Sequence, residues 1–211
     1  MFNIIQKPII PYVPLWEFEM KDLPKDDFFK SDTLWKSNNF KSDIEGLYQE
    51  PTRFTFFKSE STDEEKQISK LLDRLNTENV VDMVSNLFDE NEELFYKEYP
   101  YKKTKYKSNK EFIESFITCT TFAVKDKPTF TLVPHVDNRF MFGNIIFNLT
   151  DNKTSTKFHG FDNNVIFEAP KQKGKGIIFL NSERTMHSYI NNTDEDRYSV
   201  ICNIQLKVLN S

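Results

Sequence analysis

Alanine and glycine are scarce in this 211-residue chain: two alanines (Ala123 and Ala169) and five glycines stand against 21 phenylalanines. The core must therefore be built from Phe and Ile, with bulky side chains filling the space that Ala and Gly usually share. Cysteine occurs twice, at Cys119 and Cys202, each inside an apolar strand-like run, which argues against a disulfide framework and for buried free thiols. No apolar run approaches the length of a membrane-spanning helix. The N-terminus lacks the apolar core and small-residue cleavage site of a secretory signal, so a soluble chain in a reducing, cytoplasmic setting is the expectation. Without such a signal, the Asn-x-Ser/Thr triplets at Asn148, Asn152 and Asn191 carry no weight. A net charge of -4 gives no general attraction to nucleic acid or to anionic membranes. Histidine is scarce too, with only His135, His159 and His187.

The length suits one domain, residues 1–211, with a substantial core. Pro8, Pro11 and Pro14 exclude a helix or a central strand near the start and allow edge segments. Trp16, Phe18 and Met20 then alternate with Glu17 and Glu19, a half-buried strand pattern. Residues 21–50 are polar with scattered aromatics (Phe28, Phe29, Trp35, Phe40, Tyr48) and read as loop and short helix laid over the core. Arg53 to Phe57 reads as a short strand. Ser61-Thr62-Asp63-Glu64 fits a capping box, with Ser61 covering an early amide and Glu64 reaching back. Ile68, Leu71, Leu72 and Leu75 follow as a helical stripe; Asn76-Thr77 closes that helix and caps a second one carrying Val80, Val84, Leu87 and Phe88. Tyr96 to Lys110 interleaves six lysines with four tyrosines. It reads as a solvated loop, the competing reading being a grip on single-stranded nucleic acid or an acidic substrate.

From residue 111 the hydrophobic period falls from 3.6 to two. Phe112 to Val124, Phe130 to Val136, Met141 to Leu149, Asn164 to Ala169, Gly176 to Leu180, His187 to Ile190 and Tyr198 to Val208 are rich in Phe, Ile, Val and Thr and separated by turn compositions. Short strands with no helix between them predict an antiparallel sandwich or barrel. The chain is thus expected to be mainly β with N-terminal helices (α+β): a support region over 1–110 and a barrel over 111–211.

His135 and Asp137 are two residues apart, so on an extended strand both side chains leave one face. His187 is the credible third partner, since His159 lies in a loop composition and reads as a structural turn residue. Two neutral imidazoles and one carboxylate on one face of an ion leave positions open, the arrangement of non-haem Fe(II) oxygenases; Zn(II) is the chemical rival for the same ligands. Arg197 lies ten residues beyond His187 on the next strand, and its planar guanidinium suits the distal carboxylate of a bidentate 2-oxo acid. Ser199 falls on the same strand face, and Tyr198 points the other way. The bland reading of Arg197 is an ion pair with Asp194 or Asp196. Asn138 and Arg139 are expected at the barrel mouth, and Asn144 and Asn148 interrupt the apolar alternation of their strand as weaker candidates.

His135-Val136-Asp137, His187 and Arg197 resemble the His-x-Asp…His…Arg pattern of the 2-oxoglutarate/Fe(II)-dependent dioxygenases. The local text looks most like the prolyl-hydroxylase branch: HVDN at the first ligands, PKQKGKGIIFLNSERTMHSY around His187, and DRYSV at Arg197. The resemblance covers roughly Phe112 to Leu206. It implies a double-stranded β-helix (jelly-roll) barrel, with Fe(II) on His135, Asp137 and His187, and 2-oxoglutarate and dioxygen as co-substrates. Arg197 and Ser199 would hold 2-oxoglutarate, and an amino-acid side chain, above all a prolyl residue in a protein or peptide, would be hydroxylated. The chain departs from the family where His159-Gly160 replaces a frequent Gly-Gly pair. The tyrosine that commonly assists the arginine has no obvious counterpart, with Thr118, Thr120 and Thr121 the polar residues available. Asn203 stands where nucleic-acid demethylases carry a second arginine, which speaks against a nucleic-acid substrate. The alternatives are an oxygenase for a free amino acid or small metabolite, and a jelly-roll binding module without catalysis.

Overall fold

A computed structural model of the chain describes residues 2–5, 8–35, 53–59, 61–94 and 106–207. Among the described residues, two antiparallel sheets carry the architecture. The larger has seven strands: β1 (Phe2–Ile4), β2 (Leu15–Met20), β3 (Arg53–Phe56), β4 (Ile117–Asp126), β6 (Met141–Asn148), β9 (Lys175–Leu180) and β11 (Arg197–Leu206), in the spatial order β1-β2-β9-β6-β11-β4-β3. The smaller has four: β5 (Thr131–His135), β7 (Lys157–His159), β8 (Val165–Glu168) and β10 (His187–Ile190), ordered β5-β10-β7-β8. From β4 onward the chain passes back and forth between the sheets, with one hairpin, β7–β8, kept within the small sheet, which is the winding of a jelly roll. The N-terminal region extends the large sheet at both ends, through β2 on β9 and β3 on β4.

Period-two patterning divides the large sheet into two faces. Val200, Cys202 and Ile204 of β11, with Ile145 and Phe147 of β6, join the buried cluster that takes in the helices. Those are α2 (Asp63–Asp73) and α3 (Thr77–Glu90), which follow the short α1 (Asp27–Lys30), and α4 (Asn109–Phe116). Ile68, Leu71, Leu72, Val80, Val84, Leu87 and Phe88 supply the helical side of that layer. The opposite face lines the barrel, where Leu15, Phe158, Ile177 and Phe179 form a separate cluster. Tyr198 packs on the helix side against Trp35, as the alternation requires.

Several local expectations are corrected. The α2 cap is Thr62, whose hydroxyl accepts from the Glu65 amide, and Glu65 reaches back to the Ser61 N–H. The box sits one residue later than the Ser61/Glu64 pairing, because that register turns Ile68, Leu71 and Leu72 inward. Phe112 to Phe116, expected to begin a strand, is the end of α4: the Ser108 hydroxyl accepts from the Glu111 amide, and this cap outweighs the β-favouring aromatics. His159 ends a three-residue strand, β7, rather than lying in a turn. Residues 36–50, Tyr96 to Lys105 and Val208 fall outside the described residues.

Gly143 and Gly176 mark where bulk cannot be tolerated; a Cβ on Gly143 would lie 2.3 Å from the Phe179 carbonyl oxygen. A Cβ on Gly176 would lie 2.0 Å from the Ile146 carbonyl oxygen and 2.6 Å from Phe147 Cα, so β9 approaches β6 more closely there than any side chain permits. Gly176→Ala should lower the unfolding free energy by about 1–3 kcal/mol, the usual cost of overpacking a tight core. A matching fall in the urea midpoint would be the sign; an unchanged midpoint would contradict the close approach.

Candidate metal centre

The antiparallel register of the small sheet brings the first ligand candidates together. His187, the first residue of β10, is the cross-strand partner of His135, the last residue of β5, and the imidazole centroids lie 4.4 Å apart. Pro134 is accommodated because β5 is an edge strand. Asp137 follows as the chain leaves β5, with Oδ1 3.7 Å from His135 Nε2. One donor atom from each of the three lies within 4.8 Å of the others, a spacing that could hold a metal ion. His187 is buried, whereas His135 and Asp137 are half-buried.

The surroundings select the protonation states a cation needs. His135 Nδ1 is 2.8 Å from the Val133 carbonyl and His187 Nδ1 is 3.1 Å from the Thr185 carbonyl. A carbonyl only accepts, so each Nδ1 carries a proton, and in the neutral tautomer that this selects the lone pair lies on Nε2. Burial pushes His187 below the ordinary imidazole value, against the pull of the Asp137 carboxylate and with the help of His135. Asn144 donates from Nδ2 to Asp137 Oδ2 at 2.6 Å, which orients the carboxylate. Asn181 Nδ2 donates to the carbonyls of Asp137 (3.1 Å), Asn138 (2.9 Å) and Met141 (3.1 Å), fixing the backbone that carries Asp137. A turn with reciprocal Ser182 and Thr185 caps sets the approach to His187.

Arg197 and Ser199 occupy the barrel-facing side of β11, in register with Asp126 and Val124 of β4. Both are buried, at 5% and 0% exposure, and Arg197 Nε and Ser199 Oγ have no hydrogen-bond partner among the described residues. Burying polar groups unpaired costs roughly 1–3 kcal/mol each, so two on one interior face point to a ligand that completes them. Arg197 pairs with neither Asp194 nor Asp196, which hold Lys153 and Lys125/Lys127 instead. Its carboxylate neighbour is Asp126, with Nη1 3.5 Å from Oδ2.

Sequence reasoning missed Tyr189, whose ring lies 4.1 Å beneath the Arg197 guanidinium and whose hydroxyl meets Thr154 at 2.8 Å. The signal was present: Tyr189 stands two residues after His187 on a strand. It also missed Asp126, Arg53 and Asn181. Thr121 is excluded as a helper of Arg197, because it faces the helices and donates to the Leu75 carbonyl. Thr120 instead meets Gln205 at 3.2 Å. His159 stays out of the three-residue cluster, its Nε2 2.7 Å from Ser188 Oγ. Asn138 and Arg139 are exposed beside the ligand loop.

Asn144→Ala should weaken divalent-metal binding by about 10–100-fold, the usual effect of losing a group that orients a ligand; titration of Mn(II) or Co(II) into the protein measures it. His187 also sets an acid limit. In the unfolded chain its imidazole has the ordinary value near about 6.5 and takes up a proton before the buried ring does. Metal-free protein should thus lose stability as pH falls below that point, and His187→Gln should flatten the loss in urea melts between pH 7.5 and about 5.5.

Compared by sequence, the chain matches no family model and no curated protein. Compared by structure, it resembles solved oxygenases at low identity. A proposed oxygenase from Shewanella oneidensis is 12% identical with a TM-score of 0.58, over 92% of this chain and 82% of that one. The dioxygenase for auxin oxidation 1 from Arabidopsis thaliana, solved with 2-oxoglutarate, is 11% identical with a TM-score of 0.52, over 75% of this chain and 64% of that one. The rice dioxygenase for auxin oxidation is 9% identical with a TM-score of 0.52, over 87% and 64%. The chain thus spans somewhat under two thirds of the length of both plant proteins. It has the double-stranded β-helix fold of the 2-oxoglutarate/Fe(II) oxygenases.

Proposed function

We propose that this chain is an Fe(II)- and 2-oxoglutarate-dependent dioxygenase that hydroxylates an amino-acid side chain. One observation carries the reading: the two-histidine, one-carboxylate cluster shares a barrel with a buried Arg197 Nε and a buried Ser199 Oγ that have no hydrogen-bond partner among the described residues. A Zn(II) site would account for the cluster but not for the second pair. His135, Asp137 and His187 would hold Fe(II), and Arg197 with Ser199 would hold the distal carboxylate of 2-oxoglutarate. Iron, 2-oxoglutarate and dioxygen together supply the oxidising power, with succinate and carbon dioxide as by-products.

The chain's own residues bind, orient and exclude water. Asn144 aims the Asp137 carboxylate, and the Val133 and Thr185 carbonyls hold each imidazole with Nε2 free to ligate. Phe158 and Phe179 pack against the His187 ring and keep that side of the site apolar. Tyr189 supports the Arg197 guanidinium from below. A prolyl residue in a protein or peptide is the substrate of first choice, on the likeness of the HVDN and DRYSV segments to prolyl hydroxylases. Val136 and Phe140, exposed beside Asp137, offer the apolar contact that such a ring would use. A small organic acid is the second reading, favoured by the fold likeness to dioxygenases for auxin oxidation.

Protein loaded with Fe(II) in air should convert 2-oxoglutarate to succinate and add one oxygen atom to a proline-containing peptide, detected by mass spectrometry. Product from a small acid alone would select the second reading, and no succinate with any substrate would sink both. Arg197→Met should raise the KM for 2-oxoglutarate at least about 100-fold, from two charge-assisted hydrogen bonds at about 1.5–3 kcal/mol each, while metal affinity stays unchanged.

A further inference from the structure

The row that contains Arg197 holds a second arginine. β4 runs between β11 and β3, and Asp126 is the register partner of Arg197 on one side and of Arg53 on the other. Directly opposed residues project from one face of a sheet, so a fully buried carboxylate lies between two guanidiniums. The two contacts are unequal. Arg53 donates from Nε to Oδ1 at 2.6 Å and from Nη2 to Oδ2 at 3.0 Å, and its guanidinium rests 4.1 Å from the centre of the Phe130 ring. Arg197 makes an ion-pair contact through Nη1 at 3.5 Å from Oδ2, beyond the roughly 2.7–2.9 Å of a good charged hydrogen bond.

A buried carboxylate beside an arginine favours the two-pronged pair. An Arg197 held that way would have its guanidinium edge turned to Asp126, not to a ligand. We infer that Arg53 is a positioning residue for the co-substrate: it occupies both oxygens of Asp126 and so leaves Arg197 free to take the distal carboxylate of a 2-oxo acid. The inference rests on the reading of Arg197 as the carboxylate anchor. It also gives the N-terminal region a task, since β3 delivers Arg53 to the open edge of the large sheet. If Asp126 captured Arg197 in about nine molecules of ten, the apparent affinity for the acid would fall about tenfold.

Zn(II)-loaded protein, which binds without turnover, allows the test by calorimetric titration with 2-oxoglutarate. Arg53→Met should weaken binding about tenfold or more with Zn(II) affinity unchanged. Adding Asp126→Asn to that variant should restore binding to within about threefold of wild type, because the competitor for Arg197 has then lost its charge. Damage to β3 alone would not be rescued by a second substitution. Equal affinity in wild type and Arg53→Met, or no recovery in the double variant, overturns the inference. The Arg197 Nε–H resonance in nitrogen-15 spectra, recorded without ligand, should move in Arg53→Met and return in the double variant; an unmoved signal overturns the role of Arg53 by itself. Wild type that holds Zn(II) but binds no 2-oxoglutarate would instead overturn the anchor reading on which the inference rests.

Discussion

Everything in this molecule hangs on the alternation of β11 in the middle of the large sheet. Ten residues pair with β4 on one side and largely with β6 on the other, so the strand cannot rotate to expose its faces differently. Val200, Cys202 and Ile204 are thereby committed to the helix layer, and Arg197 and Ser199 to the barrel. A shift of one residue would put Tyr198 where Arg197 is and bury a charge among Phe and Leu side chains, at a cost no local packing offsets. The helices and the interior site are two results of one register.

The small sheet supplies the other half of the site with a single cross-strand pair, His187 opposite His135. That pair joins positions more than fifty residues apart, and neither histidine would be notable singly. The candidate ligands sit at the end of β5 and the start of its sheet neighbour β10, where the backbone leaves the ladder and side chains can converge. Rigid strands hold them, while the Asp137 loop is fixed by Asn181 and Asn144.

Much of this was legible in the sequence because the barrel obeys period two. The His-x-Asp spacing, the isolated His187 and the inward place of Arg197 and Ser199 follow from counting along strands, and the α2 and α3 stripes follow from counting along helices. The residues that escaped are those whose role depends on pairing between distant strands. Asp126 and Arg53 are 73 residues apart, and nothing near either one marks the other as its partner. Phe112 to Phe116 was misread for the reverse reason: a local cap at Ser108 decided a segment whose composition favours strand. The β7 strand is three residues long, too short for any period to show.

Both histidines are tied by the same local device, a bond from Nδ1 to the carbonyl two residues behind, at Val133 and at Thr185. The consequence is thermodynamic. Rotamer freedom of two imidazoles is surrendered as the backbone folds, not when an ion arrives, so loading has little disorder left to overcome. A site prepared in this way discriminates among cations by their chemistry, since each meets the same waiting lone pairs.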